Sequence, residues 1–261
     1  MRIFKRIQGL TPVSTVHYIR LFYRSGLFLA ALVLYLIGRI THTDTMVHLL
    51  ERQPIITWII WGVFTVEMLF RFFPSRLESP GCQKQFACNY IKSGSTEIQI
   101  QDNNATMLVA LIWICFNMVF GVLYMIGFLD DGILLLLCCA YSVCDMICIL
   151  FFCPFQSWFL KNKCCSTCCI YNWDYAMMFT PLFFIHSLYT WSLLALSLAL
   201  MLRWELTFYR YPERFSEATN SYLRCSNCTE KLCAHKTQLH RLWKRIAEFT
   251  AERARLLKKQ E

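Results

Sequence analysis

Apolar residues in this chain gather into five long runs, 21–40, 55–73, 105–128, 132–152 and 177–202, and polar residues collect between them. A helix that crosses a bilayer core needs about 20 predominantly apolar residues. Inside lipid, an isolated segment satisfies its own backbone only as a helix. The pattern therefore predicts an all-α, multi-pass transmembrane helical bundle of five spans. It divides the chain into a basic N-terminal segment (1–24), a membrane bundle (25–202) and a basic C-terminal tail (203–261). Residues 238–259 of the tail place Leu239, Leu242, Ile246 and Phe249 on one helical face, with most of the nearby basic residues off it. Such a basic amphipathic helix suits anionic lipid head groups.

Composition supports this class. Hydrophobic residues make up 56% and charged residues 16% of the chain, whereas soluble domains carry about 25% charged residues. The bilayer is the primary partner, and the expected location is the cell membrane. Nothing matches a base-reading motif, so nucleic acid is not expected as a partner. The first run is the weakest span, because Arg24 and Arg39 confine its uncharged part to 25–38. That stretch is roughly 21 Å of helix. No small-residue cleavage site follows it, so it reads as a retained signal anchor.

Charge then raises a topological conflict. Let side A be the face that bears the N-terminus and the loops 74–101 and 153–174. These segments hold Arg2, Lys5, Arg6, Arg20, Arg24, Arg76, Lys84, Lys92, Lys161 and Lys163. Basic short segments stay in the cytoplasm, which assigns side A there. Five crossings place the tail on the opposite side B, yet from Arg203 onward it holds 13 Lys/Arg against 7 Asp/Glu. One run therefore fails to span, or the tail crosses against its charge, and the short first run is the natural suspect. Asp130, Asp131 and Gly132 make a tight turn that pairs the third and fourth helices. Residues 97–101 alternate in polarity, which predicts a short strand.

Candidate chemistry is concentrated in cysteine and in a few intramembrane polar groups. Of 15 cysteines, Cys115, Cys138, Cys139, Cys144, Cys148 and Cys153 accompany the third and fourth helices and read mainly as small packing residues. Cys82, Cys88, Cys164, Cys165, Cys168 and Cys169 occupy two loops that helix parity puts on side A, where they form a second candidate metal group, with disulfides or S-acylated thiols as the alternatives. The tail holds Cys225, Cys228, Cys233 and His235 in a C-x2-C-x4-C-x-H pattern. Three thiolates and one imidazole suit a zinc ion. The spacing departs from the ferredoxin run, so an iron–sulfur cluster fits less well. Cys165 and Cys168 form a C-x-x-C pair near a helix start, where a thiol is readily activated for disulfide exchange.

Within the bundle, Glu67, Asn117, Asp145 and His186 are expected to form a polar site. From the side-A ends, Glu67, Asp145 and His186 lie at a shared depth of roughly 9–14 Å. Intramembrane ionisable groups are costly and face the bundle interior. Arg71, one turn from Glu67, is its expected partner. Pro181 is expected to kink the fifth helix just before His186, and Asp145 is expected to meet His186.

No phosphate-binding loop, dinucleotide turn, serine-nucleophile elbow or His-Glu-x-x-His pair is present. Three readings follow. One is a metal- or thiol-dependent small transporter or a membrane subunit of a redox complex, associated with other membrane proteins. The second is a membrane thiol–disulfide oxidoreductase. The third is a non-catalytic scaffold or interaction protein.

Overall fold

The computed structural model describes residues 11–41, 54–75, 80–99, 103–160 and 167–228. The long elements are α1 (Pro12–Thr41), α2 (Pro54–Phe70), α3 (Asn103–Met125), α4 (Asp131–Leu150), α5 (Asp174–Phe179) and α6 (Leu188–Arg210). Among the described residues no strand forms. Lys92 and Asn220 make a single isolated bridge. The strand expected at 97–101 is absent from its described part, residues 97–99, which are irregular.

Helices α1, α3, α4 and α6 are long and apolar enough to cross a membrane, and α2 is a shorter apolar helix of 17 residues. Their outer faces carry exposed Phe22, Ile40, Ile55, Leu111, Val119 and Leu202. Patches of this kind on a soluble monomer would seek cover. Around this bundle they suit acyl chains, and the protein is compatible with a bilayer.

Helix α4 runs antiparallel to both α1 and α3. Near the start of α1, Tyr18 stacks edge-on against Phe151, just beyond α4. Near its other end, the Tyr35 hydroxyl donates to Asp130 Oδ2 at 3.0 Å. Asp130 caps α4, its side chain accepting from the Ile133 N–H. The Tyr124 hydroxyl of α3 donates to Asp131 at 2.7 Å, closing the α3–α4 hairpin at the turn that the sequence marks.

The fifth apolar run is not one span. Residues 174–179 form α5, Thr180–Phe184 tighten into a 3-10 stretch, and the chain is extended at Ile185 and Ser187 before α6 begins. Pro181 has no N–H, and at the second residue of the 3-10 stretch no intrahelical bond needs one. It therefore opens a new turn rather than kinking a continuous helix. Thr190 then fixes the restart. Its Oγ1 accepts from the Ser187 N–H at 3.3 Å and donates to the Ile185 carbonyl at 2.7 Å.

This break reverses the chain. Asp174 sits beside Arg71 on side A, while Phe184 reaches Tyr124 near side B. Helix α6 then climbs back along α2. Its first turns meet the start of α2, where Trp61 Nε1 donates to Ser192 Oγ at 2.8 Å and Trp58 packs on Tyr189. Its last turns meet the end of α2, where Arg203 Nη1 donates to the Arg71 carbonyl at 3.4 Å. The six α-helical residues and five 3-10 residues of the descent cover roughly 17–19 Å.

The segment after α6 consequently lies on side A. It packs on the loop that follows α2: the Ser93 N–H donates to the Thr219 carbonyl at 2.8 Å, and the Ser221 N–H donates to the Ile91 carbonyl at 2.8 Å. Asn220 is fully buried between them and bonds the carbonyls of Lys84 and Arg214. The expected opposition of tail and loops is thus corrected. The run that departs from a simple span is the fifth, whereas the first forms one continuous 30-residue helix.

Candidate functional site

A layer of buried charge crosses the bundle near side A. Every third or fourth residue at the start of α1 points inward: Val13, Ser14, His17, Arg20 and Arg24 are all buried there. That stripe overlaps the start of the apolar run and carries two guanidinium groups into the bundle. Arg24 Nη2 meets Glu67 Oε2 at 2.7 Å, and Arg24 Nη1 meets Asp145 Oδ2 at 3.0 Å. The same Nη1 donates to the Ser142 carbonyl at 3.2 Å. Arg20 Nε approaches Glu67 Oε1 at 2.9 Å.

Two tyrosines complete the cage around Glu67. The Tyr23 hydroxyl donates to Oε1 at 2.6 Å, and the Tyr175 hydroxyl donates to Oε2 at 3.1 Å. Beside them Arg71 grips Asp174 with two nitrogens, each contact being 2.6 Å. Its guanidinium lies 4.7 Å from the centre of the Tyr175 ring. Arg20, Arg24 and Arg71 therefore face Glu67, Asp145 and Asp174, and the layer carries no net charge. Balance of this kind limits the large cost of burying ions. It also ties α1, α2, α4 and α5 together.

These pairings revise the sequence expectations. Glu67 and Asp145 do share a layer, bridged by Arg24. Glu67 is partnered by α1 rather than by Arg71, which turns to Asp174. His186 does not meet Asp145. It lies exposed beyond the 3-10 stretch, with its ring 6.0 Å from that of Trp191. The shared-depth estimate failed for His186 because it assumed a continuous fifth helix starting at side A. Asn117 is buried next to this layer, not in it: its amide donates to the Trp113 carbonyl at 2.9 Å and accepts from Tyr141 at 3.4 Å.

Sequence reasoning treated Arg20 and Arg24 as the flank of a span. The signal that places them inside is the helical spacing of His17, Arg20 and Arg24, continuous with buried Val13 and Ser14. Tyr175 and Asp174 carried no comparable signal, because their role depends on α2.

A chamber of about 140 Å³ opens beside Asp145. Asp145 and Asp174 both line it. Trp113, Tyr141 and Tyr171 supply aromatic wall, and Cys144, Cys148, Cys153, Cys168, Met177 and Met178 supply sulfur. Among the described residues no Lys, Arg or His lines it. Arg24 is wholly buried behind Asp145, whose side chain keeps 12% of its surface accessible. Arg24 holds Oδ2, and Asp145 itself forms part of the chamber lining.

The remaining cysteines divide. Cys82 and Cys168 are buried and Cys88 is exposed. The helical turn containing Cys82 packs against the 3-10 turn that begins at Cys169. Two of the cysteine loops thus meet on side A, as parity suggested. Cys228 also arrives there, 3.2 Å from the Lys84 ammonium. Cys164, Cys165, Cys233, His235 and the tail helix at 238–259 lie outside the described residues, as do the side chains of Cys169 and Cys225. Among the described residues no three His, Cys, Asp or Glu side chains are grouped to hold a metal ion. A zinc set is therefore not in place there.

No protein-family model, curated protein or solved structure matches this chain, so its reading rests on its own geometry.

Proposed function

We propose that this integral membrane protein is a small carrier that binds a monovalent cation in the chamber beside Asp145. One observation carries the reading: a carboxylate of the ionic layer lines a cavity that, among the described residues, no basic side chain lines. Aromatic ring faces attract cations, especially where water is excluded. Trp113, Tyr141 and Tyr171 surround the site with such faces. A cation at Asp145 also competes with Arg24, which retains Glu67 as a second anchor. Ligand binding would thereby loosen the joint between α1 and α4 without leaving Arg24 unpaired. That exchange gives the charged layer a part in carrier function as well as in stability. The position of the described loops 80–99 and 151–160 and of residues 211–228 on side A supports a cytoplasmic assignment for that face, since basic segments are retained there.

The test is calorimetric titration of the full-length protein in lipid nanodiscs with potassium, tetramethylammonium and silver(I) salts. At least one ion is expected to bind at 1:1 stoichiometry. Asp145→Asn should weaken that binding about tenfold or more, equivalent to about 1.4 kcal/mol. The near-isosteric change leaves the Arg24–Glu67 contact in place. Equal affinity in the variant, or no binding of any ion to the wild type, overturns the reading.

A further inference from the structure

The chamber's sulfur is organised. Cys144 and Cys148 lie one turn apart on α4, and Cys153 follows where the helix ends. Cys148 and Cys153 both line the chamber. The Gln156 N–H donates to Cys153 Sγ at 3.4 Å, a contact that favours negative charge on that sulfur. Cys168, Met177 and Met178 stand in the same lining. Inert packing thiols are normally surrounded by close-packed side chains. These instead border open volume beside a carboxylate.

We infer that Cys148 and Cys153 form a binding site for a soft monovalent metal ion, copper(I) being the physiological candidate, with Met177 available as a further sulfur donor. The inference rests on the cation reading above and names the ion's class. Thiolate and thioether donors select copper(I) over harder ions. Zinc requires about four ligands in a tetrahedron, and among the described residues no three His, Cys, Asp or Glu side chains are so grouped. A pair of sulfurs suffices for a monovalent d10 ion.

Charge balance supports the same ion. The layer of three arginines and three carboxylates is neutral. One metal ion enters as one thiol proton leaves, with Cys153 as thiolate and the other sulfurs as neutral donors. The total charge of the buried region is then unchanged, and no electron is transferred.

The experiment uses the full chain in nanodiscs, titrated with copper(I) under a reductant in the presence of a copper(I) chelator. The wild type should retain one equivalent against the chelator and release one proton per ion. Cys148→Ser and Cys153→Ser should each lose that equivalent. Cys148→Met, which keeps a soft donor, should retain it. The triple change Cys225→Ser, Cys228→Ser and Cys233→Ser should also retain it. A measurement that needs no variant accompanies these: silver(I) should protect Cys148 and Cys153 from alkylation, read by mass spectrometry, while Cys88, exposed in the side-A loop, stays reactive. The inference is overturned if the wild type holds no chelator-resistant ion, if the tail variant alone loses it, or if Cys148 and Cys153 are not protected. If tetramethylammonium still binds in an Asp145-dependent way, the cation reading survives that failure. If Asp145→Asn affects no ion, both fall.

Discussion

Arg24→Leu is the most discriminating single change in the bundle. Arg24 is completely buried and contacts Glu67 at 2.7 Å, Asp145 at 3.0 Å and the Ser142 carbonyl at 3.2 Å. Its guanidinium also lies 5.5 Å from the Phe64 ring centre. Without it, Glu67 keeps Arg20 and the two tyrosines. Asp145 keeps no ion-pair partner among the described residues. Removing one member of a buried pair costs about 3–5 kcal/mol, because the other charge is stranded. That corresponds to a change of roughly 100- to 4,000-fold in the unfolding constant. The assay is reversible unfolding in mixed micelles, followed by tryptophan fluorescence. Asp145→Asn in the Arg24→Leu background removes the stranded charge and should recover about 1–3 kcal/mol, a coupling expected of residues in one network. An Arg24→Leu protein within 1 kcal/mol of wild type, or strictly additive effects in the pair, would refute a structural role for the bridge. Lysine should rescue poorly, since an ammonium cannot fork between two carboxylates as a guanidinium does.

Three further outcomes follow from the fold. Reporter fusions after Lys92, Ser157 and Arg214 should give the same signal, and a fusion at Asp131 the opposite one; disagreement between Lys92 and Arg214 would contradict the reversal at 185–187. Gly121→Ala places a methyl group into the Phe184 ring and should cost about 1–3 kcal/mol by overpacking, with Phe184→Leu restoring much of it in the same unfolding assay. Asn220→Leu leaves the Lys84 and Arg214 carbonyls without their donor and should cost about 1–3 kcal/mol, seen as faster proteolysis within 211–228 while the membrane helices stay protected.

Several elements were legible in the residues alone. Runs of about 20 apolar residues have one stable backbone solution in lipid, so α1, α3 and α4 emerge close to their expected positions. The Asp130–Gly132 turn is equally local, because a short acidic turn with a cap leaves little choice of geometry. Glu67 and Asp145 were identifiable as inward-facing, since exposure of either to acyl chains is prohibitive.

What the residues left open was decided by contacts between distant segments. The fifth run has the length of one span and a proline that suggests a kink. Only packing of Phe184 against Gly121, together with the Thr190 bonds at the restart, turns it into a descent and a return. Parity depends on that one reversal, and with it the side of the membrane that receives the tail. Arg24 likewise looks like the edge of a short span until α2 and α4 bring two carboxylates to it. Partner choice among buried charges is a property of three-dimensional proximity, so Arg71 could be matched to Glu67 by helical spacing and still belong to Asp174. Composition and periodicity determined that this chain is a bundle of apolar helices with a few buried charges. The tertiary structure determined which charges pair, where the sulfur-lined chamber opens, and which face carries the tail, because those depend on distances between segments that no local pattern records.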